Sequence, residues 1–442
     1  MDASPYFTGK KITLMRIGLL GRGVGDAAFL ARNGAEVLVV DSAPQTEMQA
    51  SVDALSAYPN IRFKFGPYDL EDFRNCDLVL KGAGTPLHSP EIAAAHAAGI
   101  PVRMSADLFA ELSGVTCVGI TGTRGKSTTT HMIAAVLERA GKQVLLGGNV
   151  RGMSTLALLD EVAAEEAERA KQIGVLELDS WQLQGFGEAK RSPQVAVFTT
   201  FFRDHMNYYL DDMDAYLADK ANIFLYQKLD DMLILGSQCE GVVLDRYAAQ
   251  IRGKYEVWGE SALPREWKLQ IPGAHNRYDA ALALGVARVL GVADETAREA
   301  LEAFAGVPGR LELVRTADGV DYYNDTNATT PDATLAALEA LSTKPLILIM
   351  GGADKGLDMS PLIEKTKNVR RVILLSGTGT ERIKTELPDA PVFDNLAAAF
   401  NDAKAHAQLG DAIVLSPAFA SFGMFRNEYD RGDQFNALVQ SL

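Results

Sequence analysis

The segment Thr121-Gly122-Thr123-Arg124-Gly125-Lys126-Ser127-Thr128 carries the residue types that hold a polyphosphate. Glycines let backbone N–H groups turn inward, a helix N-terminus adds partial positive charge, and a lysine and a hydroxyl meet nucleotide oxygens and magnesium. The expected ligand is ATP or GTP. The general phosphate-loop pattern places a glycine five residues before Gly125. This chain has Ile120 there, with glycines at 119 and 122, so the loop is a shortened variant.

Three further side chains offer chemistry. Glu177 closes the apolar run Gly174-Val175-Leu176, which reads as a strand buried on both faces. A carboxylate there needs a cation or a metal. Magnesium is the expected partner, with an ordinary salt bridge or a cap as the alternative. His205 follows a third strand, in Arg203-Asp204-His205-Met206-Asn207, where a histidine is more often satisfied locally than a ligand. Lys220 lies in a segment of helical apolar spacing, and its plain reading is a solvated helix lysine. Facing magnesium at about 5 Å, with an effective dielectric near 20, its ammonium would meet a repulsion of roughly 7 kcal/mol. It would then lose its charge or point away. Addition of CO2 would turn it into a carbamate, an oxygen ligand suited to a hard cation.

Strand ends must position these groups. Val115 to Ile120 reads as the strand before the cradle. Ser127 to Ala140 reads as the helix after it, with Met132, Ile133, Val136, Leu137 and Ala140 on one face and Gly141 just past the end. Ile173 to Leu178 and Gln194 to Thr200 read as two more strands. Ligands gather at the carboxyl ends of parallel strands, so Lys126, Glu177 and His205 are expected to approach one another.

Before this region, Arg16 to Leu20, Glu36 to Asp41 and Asp77 to Lys81 are expected strands of a small doubly wound unit. Its first turn, Gly21-Arg22-Gly23-Val24-Gly25, resembles a dinucleotide fingerprint, and Asp41 stands where a ribose-binding acid would. Asp26, however, takes the place of the third glycine. The turn therefore reads as a site for some other diphosphate, with a nicotinamide site or a structural turn as alternatives. A third unit repeats the pattern with Val320 to Tyr323, Leu346 to Met350, Val372 to Leu375 and Ala412 to Leu415.

The chain's 442 residues suggest about three domains. A formal net charge of −14 with no basic run argues against broad nucleic-acid binding, so anions must be held by local groups. Cys76, Cys117 and Cys239 lack the spacing of a disulfide framework or a metal site and read as buried thiols. No apolar run of roughly eighteen residues appears, and the first residues lack a signal-peptide stretch. The expected compartment is the cytoplasm.

With these motifs placed, the chain resembles the Mur ligases, ATP-dependent amide-bond-forming enzymes of bacterial cell-wall precursor synthesis. The anchors are TGTRGKST at 121–128, GGN at 147–149, LELDSWQL at 176–183, DHMNYY at 204–209 and the lysine at 220. They continue with GAHNRYDA at 273–280, GRLE at 309–312, NDTNAT at 324–329, MGGADKG at 350–356 and SPAFASF at 416–422. The resemblance implies an α/β fold of three domains. These are a Rossmann-like unit for a UDP substrate over residues 1–104, a P-loop-type central ATPase with a mostly parallel sheet over 105–308, and a Rossmann-like C-terminal unit with the amino-acid acceptor pocket over 309–442.

Within the family, the first domain and the closing SPAFASF and RGDQF segments are similar to members that add D-glutamate to UDP-N-acetylmuramoyl-L-alanine. The resemblance then assigns ATP to Thr123, Arg124, Gly125, Lys126, Ser127, Thr128, Asn276, Arg310 and Asp325. Two magnesium sites would use Ser127 with Glu177, and His205 with Lys220 as N6-carboxylysine. Gly21, Gly23, Val24, Gly25, Ser42, Gly82, Gly84 and Thr85 would hold the uridine and diphosphate. Asn149 would position the donor carboxylate, and Thr329, Lys355, Ser421 and Phe422 the glutamate. The implied chemistry is phosphorylation of the donor carboxylate by ATP, then attack by the amino group of glutamate, with Lys126, Glu177, His205 and Lys220 as the catalytic set. The implied protein is a monomer of peptidoglycan synthesis, acting on cell shape and division, with neither nucleic-acid binding nor membrane insertion.

Three positions depart from that pattern: Asn327 in place of a lysine, Glu428 where an aromatic is usual, and Ala43 in place of an arginine near the uracil. They spare the phosphate and metal positions but leave another acceptor open, such as L-glutamate. An NAD-binding oxidoreductase and a nucleotide-dependent switch protein are the readings from other classes.

Overall fold

The computed structural model describes residues 2–18, 21–150 and 152–442, with Asn207 described in its backbone only. The chain divides into two compact units. One comprises Met1–Arg265 with Tyr278–Leu301, the other Glu266–Arg277 with Glu302–Leu442.

The first unit holds two parallel sheets. The first sheet is built from β1 (Lys11–Met15), β2 (Glu36–Asp41), β3 (Ile61–Phe65), β4 (Leu78–Lys81) and β5 (Val102–Arg103), in the order β3-β2-β1-β4-β5. The second is built from β6 (Thr116–Thr121), β7 (Gln143–Gly148), β8 (Gln172–Glu177), β9 (Val195–Phe198), β10 (Met232–Gly236) and β11 (Lys254–Trp258), in the order β11-β10-β9-β6-β8-β7. In each sheet the strand before a glycine turn, β1 or β6, lies between two parallel neighbours whose connections lead in opposite directions. That is the switch point at which open α/β sheets bind ligands.

One expected strand lies elsewhere. The strand expected over Arg16 to Leu20 runs over Lys11–Met15 instead. Arg16 takes a left-handed φ of 67°, as does Gly18 at 66°, so the chain leaves the sheet just where the apolar pattern was read as beginning. Leu19 and Leu20 lie outside the described residues.

The second unit holds a mixed sheet of β12 (Glu312–Ala317), β13 (Val320–Asn324), β14 (Leu346–Gly351), β15 (Arg371–Leu375), β16 (Val392–Phe393) and β17 (Ala412–Leu415), in the order β12-β13-β17-β14-β15-β16. The edge strand β12 runs antiparallel to β13, a hairpin that the sequence reading did not assign. Its exposed alternate residues give only a half-buried pattern. Alternation divides the central strands between two cores. Leu348, Met350, Leu374 and Val414 face one, and Ile347, Ile349, Ile373, Leu375, Ile413 and Leu415 the other. Each such side chain contributes about 1.5–3 kcal/mol on burial. All three cysteines are buried thiols, as expected.

Candidate active site

The phosphate cradle forms where β6 meets the helix Lys126–Arg139. Met132, Ile133, Val136 and Leu137 bury that helix's apolar face. Its N-cap is Gly125, with φ 82° and ψ −14°, a left-handed conformation that disfavours a side chain. A Cβ there would also lie 2.4 Å from Asp279 Oδ1. The side chains of the loop brace it. Arg124 N donates to Thr200 Oγ1 at 2.9 Å, Arg124 Nη1 pairs with Asp204 at 3.1 Å, and Thr123 Oγ1 accepts from Phe202 N at 3.0 Å. Ser127 is buried and Thr128 half-buried.

Lys126 Nζ donates to Gly122 O at 2.9 Å and to Thr123 O at 3.2 Å. Lys220, projecting from the helix Met213–Ala221, donates to the same Gly122 oxygen at 2.9 Å. It is 1% exposed and lies 4.8 Å from the centre of the Tyr216 ring. A solvated helix lysine is therefore excluded. Burial, followed by the Lys126 charge, holds its ammonium well below the ordinary lysine range, against the opposing pull of Asp179, Asp204 and Asp219.

Glu177 ends β8 at 3% exposure and has no ion-pair partner among the described residues. Its side chain accepts one long bond, from Asn149 Nδ2 at 3.4 Å, and Asn149 N donates to Glu177 O at 2.7 Å. His205 sits in a left-handed turn (φ 57°) with its ring 4.8 Å from Trp181 and 6.1 Å from Tyr216. Burial lowers its pKa, Asp204 opposes this, and Lys126 and Lys220 add to the lowering. The shift is towards the neutral imidazole, the form that ligates metals.

At the first sheet, the helix Arg22–Arg32 starts from Gly21, with φ 83° and ψ −15°. Gly23, Val24 and Gly25 form its first turn, half-buried. Ser42, just past β2, is exposed, and its N donates to Tyr68 OH at 3.2 Å. Asp41 braces the turn, its buried carboxylate accepting from Ile17 N and Ala43 N at 3.1 Å each. Gly82, Gly84 and Thr85 follow β4, and the buried Thr85 hydroxyl has no hydrogen-bond partner among the described residues.

In the second unit, Lys355 is exposed and donates to Thr329 Oγ1 at 2.9 Å. A bridge between Ala353 and Ala420 aligns the Lys355 segment with the one carrying Ser421, which is buried, and Phe422, which is 67% exposed. Asp325 accepts from Leu311 N at 3.0 Å and from Ser416 Oγ at 2.7 Å. Burial raises its carboxyl to about 7 despite these bonds and the nearby Arg310 and Arg431. Arg310 is exposed, whereas Asn276 is buried and donates to Pro272 O at 2.5 Å.

Three family profiles match: "Mur ligase MurD-like, N-terminal domain" over residues 11–104, "Mur ligase middle domain" over 120–261 and "Mur ligase, glutamate ligase domain" over 309–419. A protein of Roseiflexus sp. (strain RS-1) named UDP-N-acetylmuramoylalanine--D-glutamate ligase is 36% identical over 98% of this chain and 99% of its own. The chain belongs to the Mur ligase family. A relative of the same name from Anaeromyxobacter dehalogenans is 33% identical over 99% of both chains. Solved Mur ligase structures share the fold. The UDP-N-acetylmuramate-alanine ligase of Thermotoga maritima has TM-score 0.61 at 20% identity, covering 98% of this chain and 99% of its own. The MurF ligase of that organism, in complex with ADP, has TM-score 0.60 at 16% identity, covering 100% and 97%.

The sequence reading of this Mur ligase missed several site-building residues. Lys81, 3% exposed, donates to Thr85 O at 2.8 Å, and burial lowers it to about 8 against the pull of Asp179, Asp219, Asp107 and Glu188. Asp219 accepts from Gln184 Nε2 and Tyr209 OH. Arg431 is fully buried and donates to Thr326 Oγ1 and to the carbonyls of Thr326 and Phe419. A basic residue at the end of a strand signals the first, but only tertiary packing reveals the other two. At two of the departures from the family pattern, Asn327 Nδ2 donates to Pro308 O at 3.4 Å, and the Glu428 carbonyl accepts from Thr326 Oγ1 at 2.8 Å.

Magnesium is implied by the family, and the donor chemistry fits it. Glu177 offers a buried carboxylate without a cation, and the Ser127 hydroxyl donates to no protein acceptor among the described residues. Among those residues, no group of three or more His, Cys, Asp or Glu could hold a metal alone. The cation would depend on phosphate oxygens as well.

Proposed function

We propose that this Mur ligase joins D-glutamate to UDP-N-acetylmuramoyl-L-alanine, converting ATP to ADP and phosphate, in the cytoplasmic synthesis of peptidoglycan precursors. The full-length likeness to ligases of that name supports the substrate pair. The environment of Lys220 carries the mechanism. Two lysines share one carbonyl oxygen, and the fully buried one is held towards the neutral amine, the form that adds CO2.

Lys126 and the loop amides would hold the β- and γ-phosphates. The donor carboxylate, aligned by Asn149, attacks the γ-phosphorus and ADP leaves. The amino group of glutamate then attacks the acyl carbon, loses a proton and expels phosphate. Magnesium, held by Ser127 with Glu177 and by His205 with carbamylated Lys220, would supply charge neutralisation at the phosphates. Gly21 to Gly25, Ser42 and Gly82 to Thr85 would bind the uridine diphosphate. Lys355 and Thr329 would meet the acceptor carboxylate beside Ser421 and Phe422. Asn276, Arg310 and Asp325 are assigned to the nucleotide. The protein would act as a monomer, and no helix among the described residues is long and apolar enough to cross a membrane.

Asn327 favours a second reading, the same chemistry with another acceptor such as L-glutamate, because it removes a cation from the acceptor pocket. The deciding experiment measures phosphate release from ATP with UDP-N-acetylmuramoyl-L-alanine and either D-glutamate, L-glutamate or other amino acids, with product mass. Release that depends on D-glutamate is expected. Release with a different amino acid alone would replace the acceptor, and release with none would sink the reading.

A further inference from the structure

Asp26, which breaks the dinucleotide fingerprint, has an environment that the proposed reaction does not use. It lies in the first turns of the helix Arg22–Arg32, 9% exposed. One carboxylate oxygen accepts from Ser154 Oγ at 2.5 Å and the other from Ser105 Oγ at 2.5 Å. Ser105 opens the helix that leads into β6, and Ser154 follows the Gly-Gly-Asn segment at the end of β7. Burial holds the Asp26 carboxyl above its ordinary range even with both hydroxyls bonded. A helix that needed only to pack on its strand would carry glycine or alanine here, since a buried carboxylate costs several kcal/mol unless it is bonded.

The contacts continue in both directions. Arg22 Nε donates to Val150 O at 3.1 Å, and a Cβ added to Gly25 would lie 2.7 Å from Ser154 Cβ. Beyond Ser154, Thr155 Oγ1 accepts from Gly148 N at 2.8 Å, and Asn149 N donates to Glu177 O at 2.7 Å. Short hydrogen bonds joined by single peptide links, from Asp26 through Ser154-Thr155 and Gly148-Asn149, thus connect the helix at the Gly21 to Gly25 turn with the end of β8.

We infer that Asp26 is a positioning residue, a clasp that fixes the donor-diphosphate turn to the 152–155 segment and so to the Asn149–Glu177 end of the transfer site. The inference rests on the donor assignment made above. It is tested in the full-length protein with Asp26→Asn and Ser154→Ala. Amide exchange of residues 152–155 should quicken by about tenfold in both variants. The KM for UDP-N-acetylmuramoyl-L-alanine should rise about tenfold while that for ATP stays within about twofold, a split that a purely structural role would not give. If Asp26→Asn fails to fold, Ser154→Ala decides alone. Unchanged exchange, or equal rises in both KM values, overturns the clasp. If the wild-type protein shows no turnover with the UDP substrate, the functional reading fails, and exchange alone supports or overturns the clasp.

Discussion

Gly21 and Gly125 cap two helices with nearly the same backbone, φ 83° and ψ −15° against φ 82° and ψ −14°. Each follows a strand at a switch point of a parallel sheet. Their surroundings differ. Near Gly21 the charged groups are engaged in building the turn: Asp41 with two backbone N–H groups, Asp26 with two serines, Arg16 with Gly84 O and Lys81 with Thr85 O. Near Gly125 two lysines crowd one carbonyl, and a buried carboxylate has only an amide for company. A left-handed glycine before a helix is enough to bind an anion. What sets the second turn apart is the crowding of like charge, since Lys126 and Lys220 donate to the same carbonyl oxygen, an arrangement that an incoming polyphosphate would relieve.

The largest test of this contrast is Lys126→Ala. Removing the cation at the second turn should lower kcat by at least about 10³, roughly 4 kcal/mol, with little change in the KM for the UDP substrate. Steady-state ADP release reads both quantities, and a variant keeping a tenth of the wild-type rate would break the comparison. Lys220→Ala comes next, with a loss of about 10² in kcat, roughly 3 kcal/mol. Added acetate or another short carboxylate should restore part of that rate if an anionic carbamate is what is missing. A loss that no carboxylate relieves would argue for a neutral amine or an ammonium instead.

The same contrast explains what the sequence made legible. The cradle and Glu177 are legible from residue type and position, whereas His205 and Lys220 read locally as ordinary loop and helix residues and gain a site role only through the family resemblance. Their crowding was not visible, since Gly122 O gathers Lys126 and Lys220 from segments far apart in the chain. β2 and β17 lie where the apolar runs place them, Glu36–Asp41 and Ala412–Leu415. β1 does not, because Arg16 leaves the sheet in a left-handed conformation that a periodic pattern does not encode. Asp26 departs from the dinucleotide fingerprint and Asp41 stands where a ribose-binding acid would, yet the fold gives both acids scaffold partners. Whether an acid serves substrate or scaffold depends on which N–H and O–H groups the fold brings to it.

A smaller effect is expected at Asp325, an acid of the second unit that is buried and braced by hydrogen bonds, as Asp41 is. Its carboxyl is raised from 3.8 to about 7, so the folded chain binds that proton more tightly than the unfolded one. The associated stability is fully present below about pH 4 and is lost as the pH rises through about 7. Asp325→Asn should remove this dependence, leaving the variant about 2 kcal/mol less sensitive to a change from pH 5 to pH 7. Chemical denaturation at the two pH values reads it. If the KM for ATP also rises, Asp325 serves the nucleotide as well as the scaffold; an unchanged KM would confine it to bracing the Leu311 turn.

The smallest expected effect isolates the first turn. Ser42 is exposed beyond β2, and its side chain donates to no protein acceptor among the described residues, so removing the hydroxyl leaves the fold's own bonds intact. If it meets the uridine, Ser42→Ala should lose one neutral hydrogen bond, about 1 kcal/mol, and raise the KM for the UDP substrate by about fivefold. That contact is equally present before and during phosphoryl transfer, so kcat should stay constant. The KM for ATP should also stay constant, because the change lies at the first turn and not at the second. A fall in kcat with KM unchanged would mean that the uridine end helps to align the donor carboxylate in the transition state. The division between a binding turn and a transferring turn would then be too sharp.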